Sequence, residues 1–504
     1  MATRSYQDAI DHLNTLQTSA ADLEAAKVAR TRMNPNPIPK MIEFLERIDH
    51  TCEDLNKLNV IHITGTKGKG STSAFTDSII RHAKPNWKVG LYTSPHLVAV
   101  RERIRIGGEP LSEEDFTKYF FDVWDKLQKN GPRTPDFPAM PNYFRYLTLM
   151  AFHVFLSEKV DATILEVGVG GVSDSTNIVP KPIVTGITAL GLDHTSTLGK
   201  TIEAIAEKKG GIYKNGVPAL SVNQPEEGLS VLKEKAEELQ ALYFMEVSSF
   251  PGSESIKLGL AGEHQVQNAA LAVQMAHIFL SSMDGSDPRP EPLSQLPEPF
   301  ATGLVNTKWP GRCQTVYDPN HQNTTWYLDG AHTAESLSCC VQWFVHPGVG
   351  LPVAHESPPT RFLIFNCTKG RSGLNLISEI LDKTKELLLQ HGSEVKVENF
   401  FDIVIFCSNV TYADGHFKGD LTSRSISTAD LEELKKQHEL ADIWTELLPT
   451  FPREAIHVVA SIEHAIQTLQ RLSNPSDKMS VLVTGSLHLV GGLIEVAGLS
   501  SVAL

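Results

Sequence analysis

The chain has 504 residues, long for one compact domain and ample for two or three. Its formal net charge of −14 argues against a nucleic-acid partner, which usually calls for a basic excess. A hydrophobic content of 41%, with no run of about 18 apolar residues, is that of a globular chain with no membrane span.

The opening residues, MATRSYQDAIDHLNTL, carry Asp8 and Asp11 and no apolar run. Neither a secretory signal nor an Arg-rich transit peptide is expected there, so the expected location is cytoplasmic, with a longer mitochondrial form left open. The six cysteines (Cys52, Cys313, Cys339, Cys340, Cys367 and Cys407) have no CxxC or metal-ligand spacing and read as reduced thiols. A helix is expected over residues 6–16, then a polar stretch over 31–40 with Pro35, Pro37 and Pro39. Buried strands are expected at residues 60–63, 89–92, 162–167 and 183–187, alternating with amphipathic helices. Residues 281–300, with Pro288, Pro290, Pro292, Pro297 and Pro299, read as a loop or linker. Strands resume at 326–328, 362–365, 403–407, 457–459 and 481–483, while 347–360 and 411–439 read as surface excursions. Buried strands separated by helices imply mainly parallel sheets covered on both faces. The expected fold class is α/β: a P-loop-type, mainly parallel sheet domain over residues 1–304, then a smaller Rossmann-like α/β domain over 305–504.

The segment IHITGTKGKGST, residues 61–72, carries the strongest chemistry. A strand, a glycine-rich loop and a helical run from residue 73 make a phosphate cradle, because glycines let N–H groups turn inward and the helix N-terminus attracts anions. Gly65, Thr66, Lys67, Gly68, Lys69, Gly70 and Ser71 are the expected ATP contacts, with Lys69 as a compact cation on the β- and γ-phosphates. The loop departs from G-x-x-x-x-G-K-[ST]: its first glycine stands closer, and Gly70 separates Lys69 from Ser71.

Glu166 closes a buried strand just before Gly168, Gly170 and Gly171. A carboxylate there suits a hard cation on ATP phosphates. A dinucleotide G-x-G-x-x-G reading fails at Ser173. His194 follows another strand end and can face the metal site. The residues Ser94-Pro95-His96 are a turn or part of the site. Likewise Arg101-Glu102-Arg103-Ile104 is an exposed strand or a site element, and residues 262–269, GEHQVQNA, are a capped helix start or a nucleotide contact. Arg312 offers a planar fork of donors for phosphate.

GTKGKGST resembles the loop of the Mur ligase superfamily, in particular the folylpolyglutamate synthases of eukaryotic type, with Lys67 where many members have Asn. The likeness continues in order through LYTSPHL (91–97), EVGVGGVSDSTN (166–177), GLDH (191–194), KGGI (209–212), GEHQVQNA, WPGR (309–312), DGAH (329–332) and VLVTGSLHLVGG (481–492). The resemblance implies two Mg2+ positions served by Ser94, Glu166 and His194, with Lys209 carbamylated as a further anionic, catalytic group. Lys208 stands where many bacterial members have Glu. The resemblance also implies nucleotide contacts from Asn268, Arg312 and Asp329, a catalytic His332 near the acyl group, and substrate roles for Ser486 and His488. K+ or another monovalent cation is allowed alongside ATP and Mg2+.

Tyr143 and Phe144, after Asn142, and residues 33–40 are the candidate pterin contacts. The implied reaction moves the γ-phosphate of ATP to the terminal carboxylate of a reduced folate. The amine of L-glutamate then attacks the acyl phosphate, giving a γ-linked amide, ADP and phosphate, and supporting one-carbon metabolism. Small molecules are the expected partners, with no nucleic acid and no membrane, and a monomer is expected. The alternatives are a dihydrofolate synthase acting on dihydropteroate, a peptidoglycan ligase, which GKGS in place of GK[ST] disfavours, and a nucleotide-binding module without ligation.

Overall fold

The computed structural model describes every residue except 1–3, 18–36, 136, 288, 290–292, 354–356, 368–370, 415–418, 421–433 and 474–476. The chain forms two compact units. The first holds Met1–His96, Arg101–Gly259 and Gln265–Thr307; the second holds Leu97–Val100, Leu260–His264 and Lys308–Leu504.

The first unit is built on eight strands: β1 Val60–Thr64, β2 Val89–Tyr92, β3 Ile104–Ile106, β4 Glu109–Pro110, β5 Ala162–Glu166, β6 Val184–Ile187, β7 Ala219–Val222 and β8 Phe244–Val247. They lie in the order β4-β3-β2-β5-β1-β6-β7-β8. All pairs from β2 to β8 are parallel, and β3 and β4 add an antiparallel edge. Every residue of β1, β2, β5, β6 and β7 is buried, as continuous apolar strands covered on both faces require. β3, β4, β7 and β8 were not expected from the sequence. β3 and β4 are too short to show a period, and β8 is a partly exposed edge. The first helix, Tyr6–Thr15, starts at a capping box between Ser5 and Asp8.

The proline-dense stretch does not join the units. Its ends belong to helices His264–Met283 and Glu298–Asn306, and residues 265–307 all lie in the first unit. Pro297 and Pro299 stand at the start of the second of these helices, where a missing N–H costs nothing. Pro288, Pro290 and Pro292 lie outside the described residues.

The second unit carries β9 Gln314–Tyr317, β10 Thr324–Leu328, β11 Thr360–Phe365, β12 Ile403–Cys407, β13 Ile456–Val459 and β14 Met479–Thr484. Their order is β13-β12-β11-β14-β10-β9, all parallel but for β9. Successive residues of β11 feed opposite cores. Phe362 and Ile364 pack with Trp326, Val481 and Leu489, while Leu363 and Phe365 pack with Phe344, Phe406 and Trp444. The excursions are only partly superficial. Leu351 and Thr411 are buried, and residues 435–439 open the helix Lys435–Leu447 that buries Leu440 and Trp444.

Candidate functional site

The carboxyl ends of β2, β5, β1 and β6 stand side by side, which is where open parallel sheets hold ligands. The loop after β1 turns at Gly68, whose φ of 87° is left-handed, and the helix Lys69–Ala83 starts immediately after it. The helix thus begins four residues before the expected start, so Lys69, Gly70 and Ser71 open its first turn with N–H groups that have no i−4 carbonyl in the helix, and Thr72 N makes the first such bond, to Gly68 O at 2.8 Å. A Cβ at Gly68 would collide with the Asn268 amide, so Asn268 sits on the loop itself. Asn268 Nδ2 donates to Gln265 Oε1 at 2.9 Å, and Gln265 Nε2 reaches Ser71 Oγ at 3.4 Å.

Two amines converge on one carbonyl. Lys69 Nζ folds back to Gly65 O at 3.1 Å and Thr66 O at 3.4 Å, and Lys209 Nζ donates to the same Gly65 O at 2.6 Å. Lys209 is buried, and that burial, reinforced by the Lys69 cation, holds its amine well below the ordinary lysine range. The other flank of the loop is fastened to the segment after β6. Thr66 N and Lys67 N donate to Ala189 O at 2.9 and 3.1 Å, Thr188 Oγ1 donates to Lys67 O at 2.6 Å, and Lys67 Nζ lies 3.5 Å from Asp193 Oδ2. Lys67 is therefore held toward Asp193, a pairing its position in the loop does not announce.

Glu166 is buried at the end of β5 and accepts the Ser94 N–H at 3.1 Å, so these two expected metal residues are adjacent. His194 lies on the loop after β6, in left-handed conformation with φ of 49°, at the head of the short helix Thr195–Leu198. Among the described residues, no three His, Cys, Asp or Glu side chains gather closely enough to hold a metal. Asp174 is also buried. Its carboxylate accepts Val169 N–H, Thr176 N–H and the Thr176 hydroxyl, and burial pushes its pKa up against those bonds.

Of the expected pterin contacts, Tyr143 and Phe144 open the helix Tyr143–Glu158, which Asn142 caps. The Phe144 ring fills the space a Cβ at Gly168 would need. The Arg103 guanidinium lies 5.5 Å from the Tyr143 ring centre, and Arg103 Nε donates to His96 Nδ1 at 2.9 Å. Arg103 is buried, not part of an exposed strand: residues Val100–Arg103 form a 3-10 turn before β3. Residues 33–36 lie outside the described residues.

In the second unit, Asp329 follows β10, and its two carboxylate oxygens accept Cys313 N–H at 2.7 Å and Ala331 N–H at 2.8 Å. Arg312 Nη1 donates to Gly311 O at 2.9 Å. His332 Nδ1 lies 2.7 Å from Gly330 O, which can only accept, so a neutral ring there keeps its proton on Nδ1 and its lone pair on Nε2. Ser486 caps the helix Leu487–Val496, accepting the His488 N–H at 3.2 Å. A polar chain missed in the sequence reaches it. Gln437 Nε2 donates to Asn366 Oδ1 at 3.0 Å, Asn366 Nδ2 to Asn409 Oδ1 at 3.1 Å, and Asn409 Nδ2 approaches Ser486 Oγ at 3.5 Å. Asn366 stands just past β11, Asn409 two residues past β12 and Ser486 two past β14. Polar residues at strand ends were the available signal. His264 belongs to this unit as well, within electrostatic reach of Asp329 and Arg312.

No family model matches the chain. The folylpolyglutamate synthase of Saccharomyces cerevisiae (strain FostersO) is 44% identical over 506 aligned residues, spanning 98% of this chain and 87% of that protein. The folylpolyglutamate synthase of strain S288c gives the same identity and coverage. Among solved structures, a Mycobacterium tuberculosis folylpolyglutamate synthase complexed with ADP and AMPPCP superposes with a TM-score of 0.68 at 21% identity, covering 94% of this chain and 99% of that one. E. coli FolC in complex with DHPP and ADP gives 0.65 at 21% identity, covering 99% of each chain. These structural likenesses establish a shared α/β architecture.

Proposed function

The chain belongs to the folylpolyglutamate synthase family, and from that premise we propose that it is a tetrahydrofolate:L-glutamate γ-ligase of the ADP-forming kind. One observation carries the reading: the glycine loop of Lys69 follows β1, the strand next to β5, whose end carries the buried Glu166 paired with the half-buried Ser94, at the carboxyl ends of a parallel sheet. On nucleotide binding, Lys69 Nζ exchanges the carbonyls of Gly65 and Thr66 for phosphate oxygens, which are stronger acceptors for a cation. The N–H groups of the first helical turn add to that cradle.

The Ser94 hydroxyl and the Glu166 carboxylate are hard oxygen donors, and a magnesium ion commonly takes one or two such protein ligands and fills its shell with water and phosphate oxygens. These residues therefore fit Mg2+, with His194 as the proposed contributor from the neighbouring loop. When bound, the metal offsets the charge that develops on the transferring phosphoryl group. Lys209 is the proposed carbamylation site, since burial that lowers the pKa of its amine makes the proton easier to lose, and the amine that results is nucleophilic toward CO2. The γ-phosphate passes to the terminal carboxylate of the folate. The L-glutamate amine attacks the acyl carbon, the C–O bond to phosphate breaks, and the amine proton leaves to a base. His332 is the proposed base because the Nδ1 contact with Gly330 O leaves the acceptor lone pair of the neutral ring on Nε2. Positioning and charge neutralisation do most of this work.

Tyr143, Phe144 and Arg103 offer the aromatic and cationic surface proposed for the pterin. Ser486 and His488 are proposed for the incoming amino acid. No helix among the described residues is long and apolar enough to cross a membrane. The six cysteines form no disulfide among the described residues, which favours a reducing, cytoplasmic setting.

The test is incubation with ATP, Mg2+, labelled glutamate and either tetrahydrofolate or dihydropteroate, read by product mass. The expected outcome is stepwise addition of glutamate to tetrahydrofolate. Product from dihydropteroate alone would make the chain a dihydrofolate synthase, and no product from either would leave only nucleotide binding.

A further inference from the structure

Every residue of β1 is buried, yet its middle residue is a histidine with no exposed surface. His62 Nε2 lies 2.9 Å from Thr176 Oγ1, and that hydroxyl donates to Asp174 Oδ1 at 2.7 Å. One hydroxyl has one proton. With that proton on the carboxylate, His62 Nε2 must be the donor and Nδ1 must carry the lone pair. Nδ1 has no hydrogen-bond partner among the described residues. Burial, with Lys214 acting in the same sense, holds the His62 pKa down to about 3, so the ring is a neutral donor.

The chain of bonds continues past the carboxylate. Asp174 Oδ2 accepts the Val169 N–H at 3.2 Å, and Val169 lies in the turn directly after Glu166. That turn is also held from β1, where Thr64 Oγ1 donates to Gly170 O at 2.6 Å. A leucine would satisfy the apolar surroundings of β1 without leaving a nitrogen unpaired. What histidine adds is a donor aimed at the Thr176 hydroxyl.

We infer that His62 is a positioning residue which, through Thr176 and Asp174, fixes the turn following Glu166 and so aims the carboxylate proposed to meet the nucleotide's metal. The structural part stands on the hydrogen bonds alone. Its bearing on catalysis rests on the function proposed above.

The test compares His62→Leu with His62→Gln in the full chain, because a glutamine amide can place an N–H where Nε2 stands. The primary readout is hydrogen exchange at residues 167–177. The expected result is exchange at least about tenfold faster in His62→Leu, with the overall melt retained, and a return to within about threefold of the wild type in His62→Gln. A second readout is the affinity for a non-hydrolysable ATP analogue with and without Mg2+. The Mg2+ enhancement should fall about tenfold in His62→Leu and recover in His62→Gln, while the Mg2+-free affinity stays constant.

Unchanged exchange in His62→Leu overturns the inference, as does equal loss in both variants. If the wild type shows no Mg2+ enhancement, the metal reading of Glu166 fails, and the exchange result still decides the role of His62. Should His62→Leu not fold, Thr176→Val must show the faster exchange and Thr176→Ser must not; the reverse result also overturns it.

Discussion

Lys69 and Lys209 show how far a residue's role can be read from its neighbours in sequence. The spacing of Lys69 within a glycine loop is what proposes it for phosphate, and the structure adds that its amine rests on the Gly65 and Thr66 carbonyls. Lys69→Ala removes a charged hydrogen bond to phosphate, a loss of at least about 2–3 kcal/mol in the transition state. Ligation should therefore fall about a hundredfold or more with an unchanged melting temperature; retained activity would remove Lys69 from the mechanism. Lys209 is different, because its altered chemistry comes from burial beside another cation, which no local pattern encodes. A carbamate on Lys209 should be found by intact mass of the folded protein with and without bicarbonate. It should be more abundant once the pH exceeds the lowered amine pKa, and its absence under those conditions would refute the modification.

At the scale of elements, long buried strands with β-branched runs were legible, and the short or edge strands β3, β4, β8 and β9 were not. Pairing partners stabilise those strands, and a partner distant in sequence leaves no local trace. The helix Glu298–Asn306 is a sharper case. The prolines before it suggested a linker, whereas it packs closely against the phosphate-loop helix Lys69–Ala83. Gly303 permits this: a Cβ there would lie 2.7 Å from Ile79 Cα, and its carbonyl accepts the Ser78 hydroxyl at 2.8 Å. Gly303→Val must push the two helices apart, at a cost of about 1–3 kcal/mol. A lower melting temperature together with a raised KM for ATP is expected. A raised KM without a stability change would mean the helices are not packed in this way.

At the scale of the whole molecule, buried neutral histidines set an acid limit. Burial holds His62 at about 3 and His153 at about 4, the latter beside His50, whose Nε2 is 2.9 Å from His153 Nδ1. Both folded values lie below the unfolded value of about 6.5, so the unfolded chain binds more protons in between. Stability from these groups is thus full above about pH 6.5 and declines as the pH falls toward the folded values. The buried carboxyls Asp77 and Asp174, raised by burial, act in the opposite sense. Between pH 6.5 and 5 the melting temperature should fall in the wild type and fall less in a His62→Gln, His153→Gln double variant; parallel curves would exclude the histidines as the cause. By itself the sequence determined the phosphate loop, the acidic strand end at Glu166 and the alternation that makes two parallel sheets, because these depend on spacing within a few residues. Only the tertiary structure decided that residues 97–100 and 260–264 belong to the second unit, that Lys67 turns to Asp193, and that His62 reaches Thr176. Those outcomes depend on which distant backbones lie a few ångströms apart, and burial and hydrogen bonding act on that distance rather than on position along the chain.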